Sequence, residues 1–104
     1  VRNLKPNKFN DGAIHMSAIA HEVEVLDPIG LHARPASQIV KLVKESGLTI
    51  TIGREGEEFV KANSALMLMS LKIKTGEKLT LQIETEDSTV AGEIAGQIQE
   101  FLKG

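Results

Sequence analysis

Cysteine, tryptophan and tyrosine are absent from this 104-residue chain, and phenylalanine occurs only three times. Without cysteine there is no disulfide, no thiol nucleophile and no thiolate ligand for a metal. With so few aromatics there is no platform for stacked bases, and the core has to be aliphatic. Long apolar runs are missing as well, since none approaches the roughly 20 residues of a membrane span. Positive charge is not in excess either. Twelve Lys and Arg stand against fourteen Asp and Glu, a net charge of −2, and no basic cluster offers a footprint for nucleic acid. What remains has the length of one domain and reads as a cytoplasmic protein with no membrane insertion. Its chemistry has to come from His, Ser, carboxylates, Lys or Arg.

Residues 1–15 differ from the rest. Arg2, Lys5 and Lys8 stand there against Asp11 alone, with Pro6 and Gly12 and no sustained period of two or 3.6. The segment reads as a vector-derived leader ahead of Met16, or as a native or disordered arm, or as the end of a linker. Domain boundaries of 1–15 and 16–104 follow, and the second part is the more acidic.

Beyond residue 20 the patterns sharpen. His21–Asp27 alternates, with Val23 and Val25 on one face, and reads as a strand. Asp27-Pro28-Ile29-Gly30 is turn chemistry. Ala36, Ile39, Val40 and Val43 recur at helical spacing, and Gly47 supplies a stop. Leu48–Gly53 and Glu58–Ala62 read as a hairpin around Arg54-Glu55-Gly56-Glu57. Ser64–Leu71 is apolar nearly all round and short, so it reads as a helix largely but not fully covered, with Leu68 and Leu71 inward. Lys78–Thr85 alternates again. Asp87-Ser88 opens a last helix whose stripe is Val90, Ile94, Ile98 and Phe101 or Leu102, with Gly92 and Gly96 facing away from it. The order strand, helix, strand, strand, helix, strand, helix is that of an α+β open-faced sandwich.

The segment that carries chemistry is Gly30-Leu31-His32-Ala33-Arg34-Pro35-Ala36. Pro35 falls in the first helical turn, where its missing N–H does no harm. The open N–H groups of Ala33 and Arg34 and the positive end of the helix dipole make an anion site. Arg34 adds a guanidinium suited to phosphate oxygens, and His32, at or just before the N-cap, places an imidazole over those donors. A neutral imidazole is a nucleophile able to take a phosphoryl group. The same donors then stabilise the anion that arrives, so little beyond positioning and charge is needed. His21 opens a strand and His15 lies in the leader, so neither joins the site. Three histidines this dispersed give no metal-ligand spacing.

The stretch GLHARPA over Gly30–Ala36 resembles the active-site signature of HPr, the histidine-containing phosphocarrier family of the phosphoenolpyruvate-dependent sugar phosphotransferase system. Asn63-Ser64-Ala65-Leu66-Met67-Leu68-Met69-Ser70-Leu71 is similar to the short-helix motif of that family, and the element order agrees over nearly all the chain beyond the leader. The resemblance implies a four-stranded antiparallel sheet with three helices on one face, βαββαβα. It implies that His32 takes a phosphoryl group on Nδ1 from enzyme I and passes it to a histidine of a sugar-specific enzyme IIA, with Arg34 steadying the group. No metal or organic cofactor is implied, and the carrier is expected to be a monomer.

In the family a face matching Ala65, Leu66 and Met69 docks both partners, and a flexible Met beside a Leu suits several of them. Lys41 and Lys44 extend a positive rim from Arg34, or are simply a solvated helix face. A serine matching Ser64 is phosphorylated by a dedicated kinase in some relatives. Here Ser64 also serves as an N-cap, and Asn63 and Met67 depart from the Lys and Gly common in the family. A nitrogen-related carrier, an HPr module of a multidomain phosphotransferase, and an interaction protein that binds a transcriptional regulator are the neighbouring readings.

Overall fold

The period-two segments form strands, each shorter than its alternation. The computed structural model describes residues 18–104, so the reading of residues 1–15, and His15 with it, lies outside the described residues. Strand β1 is Ile19–Glu24 rather than His21–Asp27. Leu26 and Asp27 instead donate their N–H groups to the Leu102 carbonyl, at 2.9 and 2.8 Å, which draws the chain off the sheet. Strands β2 (Ile50–Gly53), β3 (Val60–Lys61) and β4 (Lys78–Ile83) follow. They pair antiparallel in the order β1-β4-β2-β3. The register sets Ile19, His21 and Val23 opposite Ile83, Leu81 and Leu79, and Ile50 and Ile52 opposite Ile83 and Leu81. One apolar face results, because side chains in register on paired strands share a side of the sheet.

Three helices cover that face: α1 (Ala33–Ser46), α2 (Ala65–Ser70) and α3 (Ser88–Phe101). Ile39 and Val43 of α1, Leu68 of α2 and Ile94 and Ile98 of α3 join the inner sheet residues in one aliphatic core. Each fully buried Leu or Ile there contributes roughly 1.5–3 kcal/mol relative to exposure. Among the described residues nothing covers the other face of the sheet, where Glu22, Lys78 and Gln82 are exposed. The open-faced α+β arrangement read from the sequence is the one found. Asp87 starts α3 by accepting from the N–H groups of Thr89 and Val90 at 2.9 and 3.2 Å, and Gly47 closes α1 in the left-handed region. Gly92 and Gly96 have open space beside them, away from the buried stripe as expected.

Two polar links hold the periphery. Strand β1 is an edge, and Gln99 of α3 covers it as a neighbouring strand would. Its Nε2 donates to the Glu24 carbonyl at 2.8 Å, and its Oε1 accepts from the Glu24 N–H at 3.0 Å. Arg54, after β2, donates to Glu77 ahead of β4 at 2.7 Å from Nε and 3.2 Å from Nη2. Glu77 Oε2 also accepts from the Lys74 N–H at 2.6 Å.

The Arg54 hydrogen bonds, helped by the Lys74 N–H, hold the Glu77 carboxyl at about 2, against an ordinary value of 4.5. A carboxyl depressed on folding adds stability above its unfolded value and loses it as pH falls through the folded one. Thermal melts between pH 5 and pH 2 are therefore expected to show a midpoint that falls steadily across this window, and Glu77→Gln should flatten part of that fall. An unchanged acid limb in Glu77→Gln would show that the Arg54 link adds nothing.

Candidate functional site

The site is built where the chain leaves β1 and enters α1. Asp27 Oδ1 accepts from the Ile29 N–H at 2.8 Å, and the Gly30 N–H donates to the Asp27 carbonyl at 2.9 Å. Together they close the turn read from Asp27-Pro28-Ile29-Gly30. Gly30 has a φ of +90°, and a Cβ there would lie 2.6 Å from the Ile73 carbonyl oxygen. That close approach lets Leu31 bury its side chain and donate its N–H to the same oxygen at 3.0 Å. The backbone is thus pinned one residue before His32.

His32 is the N-cap of α1, with extended backbone at φ −112° and ψ −172°, and its side chain makes no cap hydrogen bond. The first helical bond runs from the Ala36 N–H to the His32 carbonyl, at 3.0 Å. Pro35 has no N–H, so the open donors of the first turn are those of Ala33 and Arg34. Neither has a hydrogen-bond acceptor among the described residues, and both residues are exposed. No acidic side chain stands in the first turn, and Lys44 stands in the last, so the positive end of the helix dipole is left for an anion from outside.

The imidazole is turned the other way, toward the turn. His32 Nε2 lies 3.0 Å from Asp27 Oδ2, with the His32 side chain about 29% exposed and that of Asp27 about 9%. The Ile29 N–H, then the His32 ring and the charge of Arg34, hold the Asp27 carboxyl below the usual range against the opposing effect of burial. A cleft of about 520 Å³ opens over this corner, lined among others by Asp27, Ile29, His32, Arg34, Glu100 and Phe101. A half-buried imidazole, two free backbone donors and an arginine at the start of one helix suit a covalent phosphoryl group and its negative charge.

The family model for PTS-HPr, described as the PTS HPr component phosphorylation site, matches residues 19–103. The chain belongs to this family. It is an HPr-type phosphocarrier of the phosphotransferase system. The phosphocarrier protein HPr of Lysinibacillus sphaericus is 41% identical over 69 residues, covering 66% of this chain and 77% of that protein. The HPr of Borreliella burgdorferi is 41% identical over 73 residues, covering 69% and 84%. The crystal structure of HPr from Bacillus anthracis superposes with a TM-score of 0.68 at 30% identity, over 83% of this chain and 98% of that one. A different context appears in Providencia stuartii. There the phosphoryl donor subunit DhaM of a PEP-dependent dihydroxyacetone kinase is 38% identical over 72 residues, only 15% of its own length.

The second HPr-like segment forms α2, which packs beside α1 and β3. Ser64 caps it by accepting from the Met67 N–H at 3.3 Å. Leu68 is fully buried and Leu71 half-buried, as expected of inward positions. The residues read as a docking face divide. Leu66 is 75% exposed, whereas Ala65 and Met69 are half-buried against the core. Met67, outside that reading, is exposed beside Leu66. The helix turns about 100° per residue, so with Leu68 inward the outward side falls on Leu66 and Met67. Lys41 and Lys44 are exposed on α1, and His21 is half-buried within β1. Asp27, read from the sequence only as part of a turn, stands within the site. The only signal was a carboxylate five positions before the histidine, and its meaning depends on how the turn folds back.

Proposed function

We propose that His32 carries the phosphoryl group, taking it from enzyme I and handing it to a histidine of a sugar-specific enzyme IIA. What supports this is the place of His32 as the N-cap residue at the open N-terminus of α1, with the free N–H groups of Ala33 and Arg34 in the turn that follows and Arg34 lining the same cleft. In each transfer a ring nitrogen attacks phosphorus as the bond to the donor nitrogen breaks. The helix N-terminus and Arg34 balance the charge that crosses between the two proteins. Exposed Leu66 and Met67 on α2, with Ala65 and Met69 behind them, offer an adaptable apolar surface for transient docking. A phosphate on Ser64 would bring about −1.5 to −2 charges to that surface and weaken docking. In this reading the carrier works as a monomer in the cytoplasm.

The test is incubation with phosphoenolpyruvate and enzyme I, followed by intact mass. A gain of about 80 Da, labile to acid and lost on addition of enzyme IIA, is expected of a histidine-bound phosphoryl group. The similarity to a segment of DhaM favours a second reading, in which such a domain serves a dedicated acceptor within a larger phosphotransferase protein. Charging by a nitrogen-system enzyme I but not by the sugar-system one would turn the assignment toward a nitrogen-related carrier.

A further inference from the structure

Asp27 is the one polar or charged residue in the buried set of the described residues. A carboxylate in such a place needs partners for both oxygens. The turn accounts for only one of them: Oδ1 accepts from the Ile29 N–H, while Oδ2 faces His32 Nε2 at 3.0 Å. The backbone of Asp27 is held on both sides, its N–H by the Leu102 carbonyl at 2.8 Å and its carbonyl by the Gly30 N–H at 2.9 Å. The carboxylate is therefore fixed in space, and the ring is oriented against it. An ionised carboxylate can only accept a hydrogen bond, so Nε2 has to be the N–H of the neutral ring. The lone pair is then on Nδ1.

We propose that Asp27 is the positioning residue of phosphoryl transfer, holding the Nε2–H tautomer so that Nδ1 is the nucleophile and balancing the ring's positive charge once the transfer is complete. The proposal rests on the reading of His32 as the carrier. In the step itself, the Nδ1 lone pair forms a bond to the phosphorus of a phosphohistidine donor. The donor's own N–P bond breaks, and its electron pair returns to the donor ring. The proton on Nε2 stays where it is, so the His32 ring becomes cationic beside the Asp27 carboxylate. Arg34 lines the same cleft, and its cation is left for the phosphoryl oxygens rather than the ring proton. The return transfer runs through the same arrangement in reverse, so the carboxylate serves loading and unloading alike.

Asp27→Asn separates this role from the turn. An asparagine keeps Oδ1 on the Ile29 N–H, which leaves its NH₂ pointing at Nε2. The hydrogen bond is reversed, and the proton is driven onto Nδ1, the atom that has to attack. With ¹⁵N-labelled protein, the ring nitrogen signals of His32 are expected to show Nε2 protonated in the unsubstituted chain and Nδ1 protonated in Asp27→Asn. Charging by enzyme I and phosphoenolpyruvate should slow at least about tenfold in the variant. Asp27→Ser, whose hydroxyl can hold the Ile29 N–H but is too short for the ring, should give mixed tautomers and an intermediate rate. Matching melting curves, or failing them the serine variant, separate these effects from loss of fold. Unchanged tautomer signals or an unchanged charging rate in folded Asp27→Asn overturns the proposal. If the unsubstituted chain shows Nε2–H but is not charged at all, it is the carrier reading that fails.

Discussion

His32→Ala is expected to abolish the phosphoryl label outright, with no gain of about 80 Da after incubation with enzyme I and phosphoenolpyruvate, while the protein stays folded. Loss is total rather than partial because no second imidazole stands at the site, and the one carboxylate there, Asp27, is tied to the Ile29 N–H through Oδ1. Ala33, Arg34 and Pro35 offer donors or a cation but no nucleophile. The other described histidine, His21, pairs across the sheet with Leu81 and has no helix N-terminus beside it. The fold tolerates the change because His32 makes no cap hydrogen bond to α1, and its ring is not part of the aliphatic core. The Asp27 oxygen that faced the ring is left to water in the cleft, while its partner oxygen keeps the turn. Intact mass and a thermal melt on the same sample check both halves. A His32→Ala protein that still takes a phosphoryl group would put the site elsewhere.

Gly30→Ala carries the second large effect, and here the damage is to the fold. At φ +90° a side chain is strained wherever there is space, and here there is none: the new carbon would stand 2.6 Å from the Ile73 oxygen and 3.2 Å from the Lys74 Cα, both backbone atoms. Removing a glycine restricts the unfolded chain and favours folding by about 0.4–1 kcal/mol. Strain of this kind costs roughly 1–3 kcal/mol before the collision is counted, so destabilisation wins. A net loss of about 3 kcal/mol would lower the melting midpoint of a domain this size by roughly 12–24 °C. The Leu31 bond to Ile73 has to yield, His32 moves with it, and charging should fall even at temperatures where the variant is folded. Gly92→Ala is the natural control. It adds a carbon to open space in α3 and should stabilise by up to about 1 kcal/mol through helix propensity. Equal effects at the two positions would show that neither the conformation nor the contact at Gly30 matters.

The strands and helices were legible because their causes are local. Val23, Leu79, Leu81, Ile50 and Ile52 alternate, Ala36, Ile39 and Val43 repeat at helical spacing, and both patterns demand one buried side. The strand ends were less so. Glu84 and Thr85 prolong the alternation of β4, yet the Thr85 N–H turns back to the Ile83 carbonyl at 2.9 Å. At β1 the departure is set by the Leu102 carbonyl, which arrives from the far end of the chain. Within the site, His32, Ala33 and Arg34 could be placed from the seven residues Gly30–Ala36, since a proline in the first turn and donors at a helix start follow from local chemistry. On α2 the sequence pointed Leu68 and Leu71 inward but gave the outer face to Ala65, Leu66 and Met69 rather than to Met67. Packing against α1 and β3 chose Leu68 for the core and left Leu66 and Met67 outside.

By itself the sequence determined an aliphatic α+β domain with its one strong candidate nucleophile at a helix N-terminus, because composition removed the alternatives and periodicity assigned the faces. Only the tertiary structure decided how that histidine is held. The Asp27 carboxylate meets Nε2 because Leu102 anchors the turn from α3's end and Ile73 anchors Leu31 from beyond α2. Contacts between residues so far apart in the chain depend on how the helices settle on the sheet, which no local pattern encodes.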